Sequence, residues 1–206
     1  MDFPELAVAC GEEASDPWVL HEGAVVRVDE LARSGHLDRI DGDLADVASL
    51  GVDVWRYGMP WRLTVPEPGV YDWSHWDRAL AACERAGLHP VVDLCHFGLP
   101  DHLGGFCDPA WVEAFCRYVD AFLARYRDPL WFTPVNEPGI TAVMSGLLGV
   151  WNDRRASVAR LTPSSSSGSA SSQPKPSAPI HHPSRSARTR ARASRLARAT
   201  WARAVR

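Results

Sequence analysis

Residues 5 to 135 predict an α/β fold: about four βα units, the N-terminal half of a (β/α)8 TIM barrel, followed from residue 154 by a disordered basic tail. Three observations carry this expectation. Short β-rich apolar runs alternate with amphipathic stretches of helical period, the pattern of parallel strands joined by crossover helices. Three of the runs close on polar side chains, at Arg56, His96 and Asn136-Glu137, the strand end at which barrels present functional groups. Finally, the four units use about 150 residues where a closed eightfold barrel takes ~250.

Glu5 to Cys10 is the first strand, followed by a Gly-Glu-Glu loop. Leu37, Ile40, Leu44, Val47 and Leu50 recur at helical spacing over residues 38 to 50, with acids on the other face, and Gly51 stops that helix. Asp53 to Tyr57 is the second strand, and the Pro/Gly-rich stretch 58 to 70 reads as a loop. Ser74 is placed to cap a helix running to Arg85, which Gly87 ends. His89 to Cys95 is the third strand. Asp108-Pro109 starts a helix, a cap followed by proline at the first helical position, and its buried face is Trp111, Phe115, Tyr118, Val119, Phe122 and Tyr126. Leu130 to Val135 is the fourth strand and delivers Asn136 and Glu137.

Charge divides the chain in two. Residues 1 to 153 hold all 25 acidic residues and 10 arginines, a net −15, whereas 154 to 206 hold 12 basic residues and no acid. The acidic part argues against nucleic acid or an anionic membrane as its partner and suits a neutral ligand. Five cysteines with no C-x-x-C pair, and an acidic N-terminus without an apolar leader, read as free thiols in a cytoplasmic protein. No stretch is long enough to span a membrane, no histidine or cysteine spacing suggests a metal, and no glycine motif suggests a phosphate-bearing cofactor, so no cofactor is expected.

Ser164 to Ser177 is Ser/Pro-rich and Arg185 to Arg206 alternates Arg with Ala, a composition that cannot bury a core. The simultaneous loss of acids and of hydrophobic period near residue 154 reads as translation in a shifted frame of a GC-rich gene. The domains expected are therefore 1–153 and a low-complexity 154–206.

Four motifs stand in order at the expected strand ends: Trp55-Arg56-Tyr57-Gly58 with Pro60-Trp61, Gly69-Val70-Tyr71-Asp72-Trp73, Asp93-Leu94-Cys95-His96-Phe97-Gly98-Leu99-Pro100, and Thr133-Pro134-Val135-Asn136-Glu137-Pro138. In these the chain resembles the retaining β-glycosidases of glycoside hydrolase family 1, over about residues 5 to 153. Val135 stands where the family usually has Phe, and Phe97 where Trp is common, which marks a divergent branch.

The resemblance implies cleavage of O-glycosides with retention, a reaction that uses one carboxylic acid and a second carboxylate ~5 Å away. It implies that Glu137 is the acid and later the base, that Asn136 binds the sugar 2-hydroxyl, and that His96 binds another hydroxyl of the same sugar. Arg56 would lie beside the nucleophile and keep it ionised. Glu13 would contact the sugar from the loop after the first strand, and Trp61 and Trp151 are weaker candidates for stacking on sugar faces. From the residues alone, Glu137 also reads as a turn or cap residue, His96 as a satisfied core histidine, and Arg56 as half of an ion pair inside the barrel. The family nucleophile is a Glu at the end of the seventh strand. After Glu137 this chain has one acid, Asp153, so the expectation is an incomplete pair and no activity in this chain as it stands. The alternative is a non-catalytic sugar-binding or interaction protein whose basic tail binds nucleic acid. An open barrel edge would also favour self-association.

Overall fold

The structure, a computed structural model, describes residues 7–127 and 131–153. The tail expected from residue 154, and the outer ends of the first and fourth expected strands, lie outside the described residues.

In chain order the elements are β1 (Ala9–Gly11), β2 (Trp18–His21), β3 (Ala24–Arg27), α1 (Glu30–Ser34), α2 (His36–Ser49), β4 (Val54–Gly58), α3 (Trp61–Thr64), α4 (Ser74–Ala86), β5 (His89–Asp93), α5 (Ala110–Arg125), β6 (Trp131–Thr133), α6 (Pro138–Thr141) and a π-helical turn, Ala142–Leu147. β1, β4, β5 and β6 form one parallel sheet in that order. This is the expected fold class: four strands of a barrel in sequence order, with α2, α4 and α5 as the crossovers.

Alternation along β4 decides which side of the sheet is core. Trp55 and Tyr57 are each 1% exposed and stack at 4.2 Å, while Arg56 between them faces the other side with 42% of its side chain exposed. The core thus lies under the helices, where Ile40 and Leu44 of α2, Trp76 of α4 and Phe115, Tyr118 and Phe122 of α5 are almost fully buried. Each such side chain contributes roughly 1.5–3 kcal/mol by leaving water. The five cysteines are free thiols, and burial pushes the Cys83 thiol up to about 12. Among the described residues no helix is long and apolar enough to cross a membrane, and no group of three His, Cys, Asp or Glu side chains is placed to hold a metal.

Three local features differ from expectation. The segment between β1 and α2 contains an antiparallel hairpin, β2–β3, turning at Glu22 and Gly23, both at positive φ. The presumed loop 58 to 70 contains α3, which follows Pro60 directly. Ser74 begins α4 as its first residue rather than capping it; Asp72 takes the capping part by accepting from the Ser74 N–H at 2.9 Å.

The hairpin is fastened at its far side by residues 150–152. Leu20 N–H donates to Val150 O (2.8 Å), Asn152 N–H to Trp18 O (2.8 Å), and the Asn152 side chain accepts from Trp18 N–H (3.3 Å) while donating to Phe97 O (3.0 Å). The next residue, Asp153, accepts from the N–H groups of Phe106 (3.0 Å) and Cys107 (2.8 Å). Gly105 makes this possible, since a Cβ there would sit 2.4 Å from an Asp153 oxygen.

Candidate active site

Sheet register brings the site together. Gly58 pairs with Asp93 and Asp93 with Thr133, so the C-terminal ends of β4, β5 and β6 lie level. Pairing continues one step beyond: Leu94 N–H donates to Thr133 O (3.1 Å) and Asn136 N–H to Cys95 O (2.9 Å). His96 and Asn136 are held by backbone rather than by loop chance.

The side chains on this rim close a polar ring. The Arg56 guanidinium donates from Nε to Asp93 Oδ1 (3.2 Å) and meets Asp93 Oδ2 through Nη2 (2.6 Å). Nη2 also donates to Asn136 Oδ1 (2.6 Å). His96 Nδ1 lies 3.0 Å from Asp93 Oδ2, and His96 Nε2 lies 3.3 Å from Asn136 Nδ2. Asp93 is fully buried, Asn136 and His96 nearly so, and Arg56 carries the ring to solvent. A buried carboxylate without a partner would neutralise itself or destabilise the fold, and here a guanidinium meets it with two contacts.

Close packing seats the imidazole. A Cβ on Gly58 would lie 2.6 Å from His96 Nδ1 and 2.7 Å from Ala14 Cβ, so only glycine leaves room for the ring at the end of β4. The backbone bends sharply around the site: Phe97 (φ 66°), Glu137 (φ 39°) and Asn152 (φ 31°) all adopt left-handed conformations. For Phe and Glu that region is disfavoured by steric contact with Cβ.

The expected site residues are distributed as follows. Arg56, His96 and Asn136 are brought into one hydrogen-bonded ring. Glu137 follows directly, at the start of α6, exposed and with no side-chain cap bond. Glu13 comes from the loop after β1, with Oε1 3.9 Å from His96 Nε2. Its partial burial acts to raise its pKa, but hydrogen bonds from Ser15 outweigh this and hold the carboxyl below its ordinary range. Trp61 is not brought to the site: it is 2% exposed, stacked on Tyr118 at 5.6 Å and edge-on to Phe115 at 5.3 Å, because α3 turns its ring into the core. No ring face is left for a sugar. Trp151 lies one ring further out, 5.1 Å from Phe97, which is itself 5.0 Å from His96.

Asp93 is the member that sequence reasoning passed over. Its signal was present, a carboxylate closing an apolar strand three residues before His96, since buried acids require a partner. Asp153, the last acid of the chain, is occupied by backbone N–H groups of the 106–107 loop.

Residues 18–160 match the model of a family described as Glycosyl hydrolase family 1. The chain belongs to glycosyl hydrolase family 1. Within that family it is 26% identical over 149 residues to the coniferin β-glucosidase of Pinus contorta, covering 68% of this chain and 29% of that one. It is 29% identical over 126 residues to a β-glucosidase of Agrobacterium, covering 56% of this chain and 27% of the relative. In structure it is similar to the family 1 β-glucosidase of Thermotoga maritima solved with castanospermine, with a TM-score of 0.56 and 22% identity over 72% of this chain and 40% of that one. At that identity the likeness is one of fold. The chain spans less than a third of the length of the two family 1 relatives just named.

Proposed function

We propose that this chain carries the acid/base half of a retaining O-glycosidase site that takes a small neutral β-glycoside. The observation that carries the reading is the closed ring of Arg56, Asp93, His96 and Asn136 on three adjacent strand ends, with Glu137 leaving it on a left-handed residue. Chemically, Glu137 protonates the glycosidic oxygen as the bond breaks and later draws the proton from water. The second Asn136 amide hydrogen and the His96 edge supply hydrogen bonds to ring hydroxyls. The named relatives being β-glucosidases, a β-glucoside is the first substrate to try.

A retaining cycle also needs an attacking carboxylate. In this chain Asp93 is tied to Arg56 and His96, Asp153 is tied to backbone, and residues 154–206 contain no acid. The 206 residues alone therefore bind the sugar without turning it over. The test is a calorimetric titration with methyl β-glucoside and methyl β-galactoside, together with a hydrolysis assay on the same glycosides with and without formate as an external carboxylate. Their alkoxide leaving group needs the proton of the acid. Binding weakened about tenfold in Asn136→Ala, ~1.4 kcal/mol, is expected from the loss of one hydrogen bond. Formate-dependent hydrolysis should disappear in Glu137→Gln. Hydrolysis that survives Glu137→Gln, or no binding of either glycoside, overturns the proposal.

A further inference from the structure

We propose that Asp93 is a positioning residue that fixes His96 as its Nδ1–H tautomer, so that the ring presents an unprotonated Nε2 and accepts a hydrogen from a sugar hydroxyl. The significance of this polarity rests on the sugar-binding reading above; the tautomer itself does not.

Polarity can be followed round the ring one donor at a time. A guanidinium has only donors, so the Asn136 atom 2.6 Å from Arg56 Nη2 is the amide oxygen. The Asn136 NH2 group is then the one that faces His96, at 3.3 Å, and a donor there requires a lone pair on Nε2. A neutral imidazole with a bare Nε2 carries its hydrogen on Nδ1, and Nδ1 lies 3.0 Å from Asp93 Oδ2, an acceptor. Each link has one consistent polarity. Flipping the amide would set NH2 against the guanidinium, donor on donor. Reversing the tautomer would set an N–H against the Asn136 NH2 and leave the Asp93 oxygen without that hydrogen.

Two further observations separate positioning from simple charge pairing. Arg56 already contacts both oxygens of Asp93, so neutralising the buried carboxylate does not require the imidazole. Yet the ring edge is admitted to Asp93 by a residue with no side chain, Gly58, whose Cβ would lie 2.6 Å from that very nitrogen. On the other edge Nε2 lies 3.9 Å from Oε1 of Glu13, whose side chain is exposed, so a ligand would approach Nε2 from the Glu13 side. The long 3.3 Å link to Asn136 is the contact that an incoming hydroxyl would share or displace.

The consequence is a polarity for the ligand. The hydroxyl that meets His96 is a donor, while the one that meets the second N–H of Asn136 is an acceptor.

The full 206-residue chain, carrying ¹⁵N-labelled histidine, tests this by long-range ¹H–¹⁵N correlation at about pH 8, where imidazoles are neutral. His96 is assigned by the signal lost in His96→Gln. The expected wild-type spectrum has His96 protonated at Nδ1 and bare at Nε2. Asn136→Ala, which removes the amide but leaves Asp93, keeps that form. Asp93→Ala moves the ring to the Nε2–H form favoured by free imidazole. A wild-type ring protonated at Nε2, a switch in Asn136→Ala, or an unchanged ring in folded Asp93→Ala overturns the proposal. Should Asp93→Ala not fold, the wild-type and Asn136→Ala spectra decide. No sugar is present, so failure here is distinguishable from failure of the glycoside titration.

Discussion

At the scale of single residues, burial sets the protonation of polar groups inside this fold and their partners then fix the direction of each hydrogen bond. His75 is an example outside the site. Tyr57 lies with its hydroxyl oxygen 2.6 Å from His75 Nε2, and burial raises the Tyr57 pKa well above its ordinary value, so the phenol keeps its proton and donates it. Donation requires a neutral imidazole. Burial first, then the charges of His36 and Arg78, lower the His75 pKa from 6.5 to about 4. Between those values the unfolded chain binds a proton that the folded chain refuses, so stability falls as pH falls. The contribution is complete above pH 6.5 and gone below about pH 4. Each pH step of one between those two values is worth ~1.36 kcal/mol, which bounds the whole effect at about 3 kcal/mol. Urea unfolding at pH 7 and pH 4.5 should show wild type losing more stability than His75→Gln by about that amount, and parallel losses would contradict this assignment.

At the scale of elements, the hairpin β2–β3 is fastened to the sheet by Arg27. Its guanidinium donates to Asp16 O (2.6 Å) and Leu99 O (3.3 Å), pairs with Asp101, and lies 4.6 Å from the Trp18 ring. Arg27→Ala should cost about 3 kcal/mol, the usual effect of breaking a largely buried pair, here the one with Asp16 Oδ1 at 3.5 Å, and should speed hydrogen exchange in 18–27 before the sheet amides. Arg27→Lys should recover little, because an ammonium cannot reach two carbonyls, a carboxylate and a ring together. Uniform acceleration across the sheet would mean that the hairpin is not a separate unit. The sequence showed the parallel strands and hid this hairpin, for a physical reason. Buried strands are apolar runs, whereas β2 and β3 are half exposed and turn through Glu22, a residue that rarely adopts positive φ. The site was legible to the same degree. Arg56, His96 and Asn136 announce themselves by closing apolar runs. The direction of the Trp61 ring is set by α3, which the surrounding proline and glycine conceal, and the partnership of Asp93 with His96 depends on a register that no local pattern carries.

At the scale of the whole molecule, the sheet ends on β1 at one edge and β6 at the other, with no further strand beside either among the described residues. Parallel edges present a row of backbone donors and acceptors, and parallel sheets are ordinarily buried on both faces. Near β6, Ile140 and Val143 are also 48% and 38% exposed. The chain should therefore self-associate despite the strong negative charge of residues 1–153. Light scattering across a hundredfold concentration range should show rising mass, reduced in Ile140→Lys with Val143→Lys; a constant monomer mass would refute it. One local feature concerns strain within the fold rather than assembly. Phe97 and Glu137 hold left-handed backbone, where glycine would be less strained. Both side chains are carried at a cost in backbone energy, and glycine at either position would relieve the backbone while taking the ring or the carboxylate away from the rim of the sheet.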